Sequence, residues 1–309
     1  MRIAVTGSSG LIGTAFTDAV RTDGDEVIRL VRRPPRAADE ITWDPAAPRG
    51  GIDLAALAGT GAVLNLAGAP LAAGRWTQAR KAELRASRIQ ATEGLTAALT
   101  AMDQPPATLL SGSAIGWYAD TGGREVDESA PAGTGFLAGL VRDWEAAAEP
   151  ARAAGIRVAN LRTGIVLARQ GGMLGRLAPL FRLGLGARIG PGTQFISWIT
   201  LTDQVRALRY LLGNPAVEGP VNLTAPDPVT NADFTAALAK ALGRPALLRA
   251  PAPVIRAALG ELSGDLLASA RVIPRRLLAA GFTFRYADIA SALAAELRPR
   301  TQRDSRPAT

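Results

Sequence analysis

Apolar and polar positions along this chain alternate with two periods. Arg2–Thr6 is a short β-branched run closed by glycine, which predicts a buried strand. Leu11–Arg21 then repeats its apolar residues at helical spacing, and Glu26–Val31 reads as a second strand. Short apolar runs at Ala62–Leu66, Thr108–Ser111 and Arg157–Leu161 predict three more strands. Between them lie two helical stretches. Thr77–Met102 carries Leu84, Ile89, Leu95 and Leu99 near one face, and Phe136–Ala154 follows. Strands alternating with helices predict an α/β fold, a doubly wound parallel sheet covered on both faces.

The pattern changes after Gly171. Glycine and proline become frequent, as in Gly184-Leu-Gly186 and Gly190-Pro-Gly192. Thr202–Leu212 and Thr230–Leu242 predict helices, the second with Asn231 as a candidate cap, and Val221–Leu223 predicts a short strand. No repeat or linker divides the chain. The expected organisation is a sheet domain over 1–170, a smaller substrate lobe over 171–297 interleaved with the end of the sheet, and a basic tail over 298–309.

Composition narrows the chemistry. Hydrophobic residues make up 48% of the 309 and charged residues 20%, enough apolar surface for a large core. No apolar run is long enough to span a bilayer, and the start does not read as a signal peptide. There is no cysteine, which removes disulfides and thiolate chemistry and points to the cytoplasm. There is no histidine, so a Ser-His-Asp hydrolase is excluded, and no metal site is expected. The net charge of +8 comes almost wholly from arginine, since lysine occurs only at Lys81 and Lys240. The arginines are scattered and accompany no nucleic-acid motif. The expected partner is a small molecule, neither nucleic acid nor membrane.

The most informative segment follows the first strand. Gly7, Ser9, Gly10, Leu11, Ile12 and Gly13 belong to a Gly-x-x-Gly-x-x-Gly turn that opens the first helix. One glycine permits the tight turn, the next lets the backbone approach a pyrophosphate, and the last lets helix and sheet pack closely. The helix N-terminus then offers unpaired N–H groups to phosphate. This is the dinucleotide-binding arrangement of a Rossmann fold. At the end of the second strand stand Val31, Arg32 and Arg33, where NAD-binding chains usually carry an acid. An arginine there suits a 2′-phosphate, so the expected cofactor is NADP(H), with Val31 and Arg32 beside its adenosine.

Further segments resemble a known family across nearly the whole chain. They are Asn65-Leu-Ala-Gly68, Gly74-Arg-Trp-Thr77, Ser87-Arg88, Ser113-Ala-Ile-Gly-Trp-Tyr118, Asp143-Trp-Glu145, Leu161-Arg-Thr-Gly-Ile-Val166, Phe181-Arg-Leu-Gly-Leu-Gly186, Ser197-Trp-Ile199, Ala225-Pro-Asp-Pro-Val-Thr-Asn231 and Ala241-Leu-Gly-Arg-Pro245. The chain resembles the atypical extended short-chain dehydrogenase/reductases of the SulA-like nucleoside-diphosphate-sugar epimerase type, which end in a characteristic small domain. The resemblance implies that Leu66, Ala67, Gly68, Glu83, Arg88 and Val166 also reach the cofactor. It is compatible with a homodimer. It also exposes a departure: the family usually has histidine after Ser-Trp-Ile and then an acidic pair. Here Thr200 takes that place and only Asp203 remains of the acids.

Ordinary members of the superfamily use a Tyr-x-x-x-Lys pair, in which lysine activates the tyrosine as acid or base. Four residues beyond Tyr118, Tyr210 and Tyr286 stand Gly122, Asn214 and Ala290, so the pair is absent. Alignment through Glu145 places Leu137 and Val141 at its positions. The candidate catalytic residues are therefore Ser113 and Tyr118. Trp76, Trp117, Ser197 and Trp198 are candidates to shape a substrate pocket, and Arg75 to hold an anionic substrate. The expected function is an NADP(H)-dependent oxidoreductase. A non-catalytic NADP(H)-binding sensor and a nucleotide-sugar epimerase are the alternatives.

Overall fold

The computed structural model describes residues 1–71 and 73–297. Its central sheet has strands β1 (Arg2–Thr6), β2 (Glu26–Val31), β3 (Glu40–Thr42), β4 (Ala62–Asn65), β5 (Thr108–Ala114), β6 (Arg157–Thr163) and β7 (Gly219–Leu223). They lie in the order β7-β6-β5-β4-β1-β2-β3, and every neighbouring pair is parallel. This is a Rossmann sheet extended by one strand. Chain direction across the sheet reverses between β1 and β4, and the crevice outside the carboxyl ends there is where such folds take ligands.

The central strands are buried on both faces, and away from their carboxyl ends their inward residues are mostly apolar. Ile3, Val5, Leu64, Leu110, Leu161 and Val221 form one face, beneath helix α1 (Leu11–Thr22) and the helix Leu201–Gly213. Ala4, Val63, Leu109 and Val158 form the other. That second face is covered by helices that include α3 (Ile89–Thr100). Toward the carboxyl ends the second face turns polar. Thr6, Asn65, Ser111 and Asn160 stand in one cross-strand row. Ser113, Arg162 and Asn222 stand in the next.

Two expected helices are each divided. The stretch over Thr77–Met102 consists of α2 (Gln78–Ala86) and α3, broken at Ser87 and Arg88. Ser87 Oγ accepts from Ala69 N at 3.0 Å, and Arg88 donates to Ala69 O at 3.0 Å. These bonds to the neighbouring loop draw both residues away from a continuous helical path. The stretch over Phe136–Ala154 consists of α4 (Phe136–Ala146) and a short helix, Glu149–Ala153. Pro150 has no N–H to continue the ladder and is tolerated in the first turn of that second helix.

The chain beyond Gly171 has a core of its own around Leu174, Phe181, Trp198, Phe234 and Leu293. It contributes β7 to the sheet, and Ile165–Ala168 pairs in parallel with Trp198–Thr200 beside the sheet's end. The helix Asn231–Leu242 is capped by Thr230, whose Oγ1 accepts from Asp233 N at 3.1 Å. Asn231, the expected cap, instead accepts from Ile189 N at 2.9 Å. Among the described residues no helix is long and apolar enough to cross a membrane. The basic tail over 298–309 lies outside the described residues.

Candidate functional site

The glycine turn joins β1 to α1 at the reversal point. Gly7 has φ +65°, and a Cβ there would lie 2.6 Å from Leu66 O. A Cβ on Gly13 would lie 2.3 Å from Gly7 O, so the first helical turn packs directly on the loop. Only glycine fits either position. Gly10 caps α1 without any side-chain hydrogen bond. The first-turn N–H groups that include Leu11, Ile12 and Gly13 therefore lack a capping side chain, beside the exposed Ser9. This is an open anion seat of the kind a dinucleotide pyrophosphate requires.

The end of β2 separates the two arginines. Arg33 donates to both oxygens of Glu40, at 2.8 and 2.7 Å, and holds that carboxyl down at about 2. Arg29 binds Asp39 in the same two-pronged way, at 2.8 Å on each oxygen. The local acids are thus neutralised. Arg32 is exposed and makes no ion pair among the described residues.

Across the crevice, Leu66 N and Ala67 N donate to Thr6 Oγ1 at 3.0 and 3.1 Å, which fixes the loop after β4 against the end of β1. A Cβ on Gly68 would sit 3.2 Å from the guanidinium carbon of Arg88. Arg88 is buried and bonded to the Leu84 and Ala69 carbonyls, with no carboxylate partner among the described residues. Burial, with the neighbouring Arg80 adding to it, brings its pKa down to about 10. Glu83 lies on the exposed side of α2 and pairs with Arg80 at 2.6 Å. Val166 lies in the short strand Ile165–Ala168, where the Gly171-Gly172 turn reaches from its carbonyl to the Leu11 side chain. The structure therefore gathers Gly7, Leu11, Gly13, Leu66, Ala67, Gly68, Arg88 and Val166 around one end of the sheet.

Ser113 and Tyr118 join a buried polar network. Ser113 Oγ donates to Glu145 Oε1 at 2.6 Å. Arg162 grips both oxygens of Glu145, at 2.8 and 2.9 Å, and donates to the Tyr118 hydroxyl at 3.1 Å. Tyr118 in turn donates to Asn222 Oδ1 at 2.7 Å. Asn222 N donates to Glu128 Oε1 at 3.0 Å. The Arg162 guanidinium lies 3.9 Å over the Trp117 ring. Burial opposes the Arg162 charge, but Glu145 and Tyr118 outweigh it and hold its pKa above the ordinary value. Burial pushes the Tyr118 phenol up to about 12 in spite of Arg162, so it stays protonated at neutral pH. Glu128 is likewise pushed up by burial.

Glu145, Arg162, Asn222 and Glu128 were not among the candidate site residues, although Glu145 and Arg162 stand in segments that resemble the family. A signal existed for Arg162, a charge in line with a strand buried on both faces. A strand ended at Leu161 hides it. Leu137 and Val141, at the positions of the absent catalytic pair, pack against Gly116.

The remaining candidates are placed elsewhere. Trp76 packs edge-on against Phe136 and donates to Leu71 O at 2.9 Å. Arg75 is exposed and donates to Ala257 O. Ser197 Oγ donates to Ala270 O and accepts from Val272 N at 2.8 Å, tying down a later segment. Trp198 is fully buried in the lobe core, with its indole N–H on Asp227 O at 3.0 Å. Ser197 is buried as well. Thr200 caps the helix Leu201–Gly213 through Asp203 N at 3.0 Å, and Asp203 also receives Arg285 N and Tyr286 N. The threonine that stands for the family's histidine thus has a structural task.

Residues 3–223 match the NAD dependent epimerase/dehydratase family, and residues 250–296 match a domain of unknown function, DUF1731. The chain is 49% identical over 292 residues to an epimerase family protein of Mycobacterium bovis, covering 94% of this chain and 96% of that one. Its structure is similar to that of the human epimerase family protein SDR39U1, crystallised with NADPH. The TM-score is 0.87 at 35% identity, covering 96% of this chain and 98% of that one. It is also similar to a nucleoside-diphosphate sugar epimerase from Corynebacterium glutamicum. That TM-score is 0.79 at 36% identity, covering 96% of this chain and 58% of that one.

Proposed function

Because this chain belongs to the NAD dependent epimerase/dehydratase family, we propose that it is an NADP(H)-dependent oxidoreductase acting on a small substrate. One observation carries this reading. An uncapped helix N-terminus behind a turn that admits only glycine lies on the same sheet edge as Arg32, which pairs with no acid among the described residues. The NADPH in the crystal structure of the human relative supports it.

In this reading Gly7 and Gly13 let the backbone approach the pyrophosphate, and the first-turn N–H groups of α1 bind it. Arg32 pairs with the 2′-phosphate, and Leu66, Ala67 and Val31 border the adenosine. The bound nicotinamide supplies hydride exchange, and the chain has only to orient the partners. Ser113 commits its own proton to Glu145, so toward the site it can only accept a hydrogen bond. That suits a substrate hydroxyl or N–H better than a bare carbonyl. Tyr118 commits its proton to Asn222, which supports a bracing role rather than proton donation. Transient oxidation of a nucleotide sugar calls for a base, and neither hydroxyl has lysine or histidine beside it.

The commitment of both hydroxyls also favours a second reading, an NADP(H)-binding protein without turnover. Two measurements separate these readings. Fluorescence titration should give tight NADPH and weak NADH binding. Arg32→Asp should weaken NADPH by roughly 10–100-fold, as expected for one lost charge-assisted contact. Equal binding of the two cofactors would remove the NADP(H) assignment. If NADPH binds but is not consumed with any member of a panel of carbonyls and enones, and NADP⁺ is not reduced by the matching alcohols, the second reading stands.

A further inference from the structure

Eight large apolar side chains are exposed among the described residues. Six of them, Leu180, Leu183, Leu185, Leu247, Leu248 and Val254, fall in two short segments of the C-terminal lobe. These segments touch. Ala187–Ile189 pairs in parallel with Leu248–Ala250, with Ala187 opposite Leu248. Arg244 Nε donates to Arg182 O at 3.2 Å. One tip follows the helix Gly172–Arg182 and turns at Gly184, φ +75°; the other follows the helix Asn231–Leu242 and turns at Gly243, φ +63°. At these adjoining tips Leu183, Leu185 and Leu247 are 74%, 53% and 86% exposed. Isolated exposed leucines need no explanation, whereas a contiguous group marks an interaction surface.

The charge around the leucines indicates what covers them. No Asp or Glu occurs from residue 150 through 202, nor from 234 through 260. Arg182, Arg244 and Arg249 are all exposed on the same two segments. A second copy of this surface would bring like charges together. A polynucleotide stacks on aromatic rings, and the aromatic residue of these segments, Phe181, is buried. The leucines crown protruding turns, a shape suited to insertion rather than to receiving a peptide. Apolar tips ringed by arginine match a surface that is anionic outside and apolar just beneath.

We propose that this rim of the C-terminal lobe docks on an anionic phospholipid bilayer. Leu183, Leu185 and Leu247 enter the boundary between headgroups and acyl chains, and Arg182, Arg244 and Arg249 hold the lipid phosphates. The contact is peripheral and needs no spanning helix. It departs from the expectation that a membrane is not a partner.

The test is co-sedimentation of the full-length protein with vesicles of phosphatidylglycerol and phosphatidylcholine, against vesicles of phosphatidylcholine alone. Binding is expected to the anionic vesicles only, and to weaken as salt is raised. The double variant L183E/L247E should reduce partitioning at least tenfold while the other basic residues, those of 298–309 included, are unchanged. In a second measurement, Leu183→Trp should gain quenching by brominated lipid that the unsubstituted protein lacks. Failure to bind anionic vesicles would overturn the proposal and direct attention to a protein partner. Undiminished binding by L183E/L247E would also overturn it, since attraction would then come from charge elsewhere. So would a tryptophan at 183 that brominated lipid does not quench.

Discussion

The glycine turn and the buried network lie on the same edge of the sheet, yet they are built in opposite ways. The turn is one contiguous segment, Gly7–Gly13, and works through its backbone. The network draws Ser113, Tyr118, Glu128, Glu145, Arg162 and Asn222 from separate elements, with Tyr118 and Asn222 104 residues apart. Backbone geometry needs only local spacing and a residue that permits it. Side-chain geometry needs the whole sheet, because β5, β6 and β7 must be in register before Ser113, Arg162 and Asn222 form a row. A substitution in the turn should therefore act mainly on binding, and one in the network mainly on folding.

The largest expected effect tests the network. Arg162→Met leaves Glu145 buried without its cation, and loss of one partner of a buried pair costs about 3–5 kcal/mol. Urea unfolding should show that loss, and a change below about 1 kcal/mol would mean water already reaches the pair.

Tyr118 offers the next. Its folded pKa is raised from 10.0 to about 12. The folded state therefore favours the protonated phenol. That stability is complete below pH 10 and is lost as pH rises toward 12. Two units correspond to about 2–3 kcal/mol. Tyr118→Phe should lower stability at pH 7 but flatten the alkaline decline between those limits. An unchanged alkaline slope would assign the decline to other groups.

In the turn, Gly7→Ala imposes both the wrong φ and a contact with Leu66 O, a strain of about 1–3 kcal/mol. NADPH affinity should fall at least tenfold, by more than any loss of thermal stability accounts for. Equal losses in affinity and stability would erase the contrast between the two regions.

The smallest effect is at Glu128, whose pKa burial raises from 4.5. The sign follows that direction: its charged form is disfavoured by folding, so stability falls as pH rises through the folded value. Glu128→Gln should keep the bond from Asn222 N and raise the midpoint of thermal unfolding slightly at pH 7 but not at pH 4. The gain should stay within about 1 kcal/mol, the scale of one neutral hydrogen bond. An equal change at both pH values would show that burial of charge is not the cause.

Much of the fold was legible because its signals are local. Six of the seven sheet strands and α1 follow from short apolar runs and helical periodicity. The dinucleotide turn follows from glycine spacing after a strand. The breaks within the long helical stretches did not follow, since Ser87 and Arg88 leave the helix for Ala69, which is not a helical neighbour. Nor did β3, whose Glu40 is inward-facing and looks polar until Arg29 and Arg33 neutralise it. Arg32 and Arg33 are adjacent and chemically identical, and only the position of Glu40 shows which is free. That Ser197 bonds the Ala270–Val272 segment and that Trp198 is buried in the lobe core is likewise decided by packing.

The sequence by itself determined the alternation of strands and helices, the phosphate-binding turn, and the absence of cysteine, histidine and a Tyr-x-x-x-Lys pair. These are properties of residue type and short spacing. The tertiary structure alone decided which charges are spent and which are free. A charge is neutralised by whatever lies within about 4 Å of it, and for Arg162, Arg33 and Arg29 those neighbours are set by strand register and helix packing, not by position in the chain.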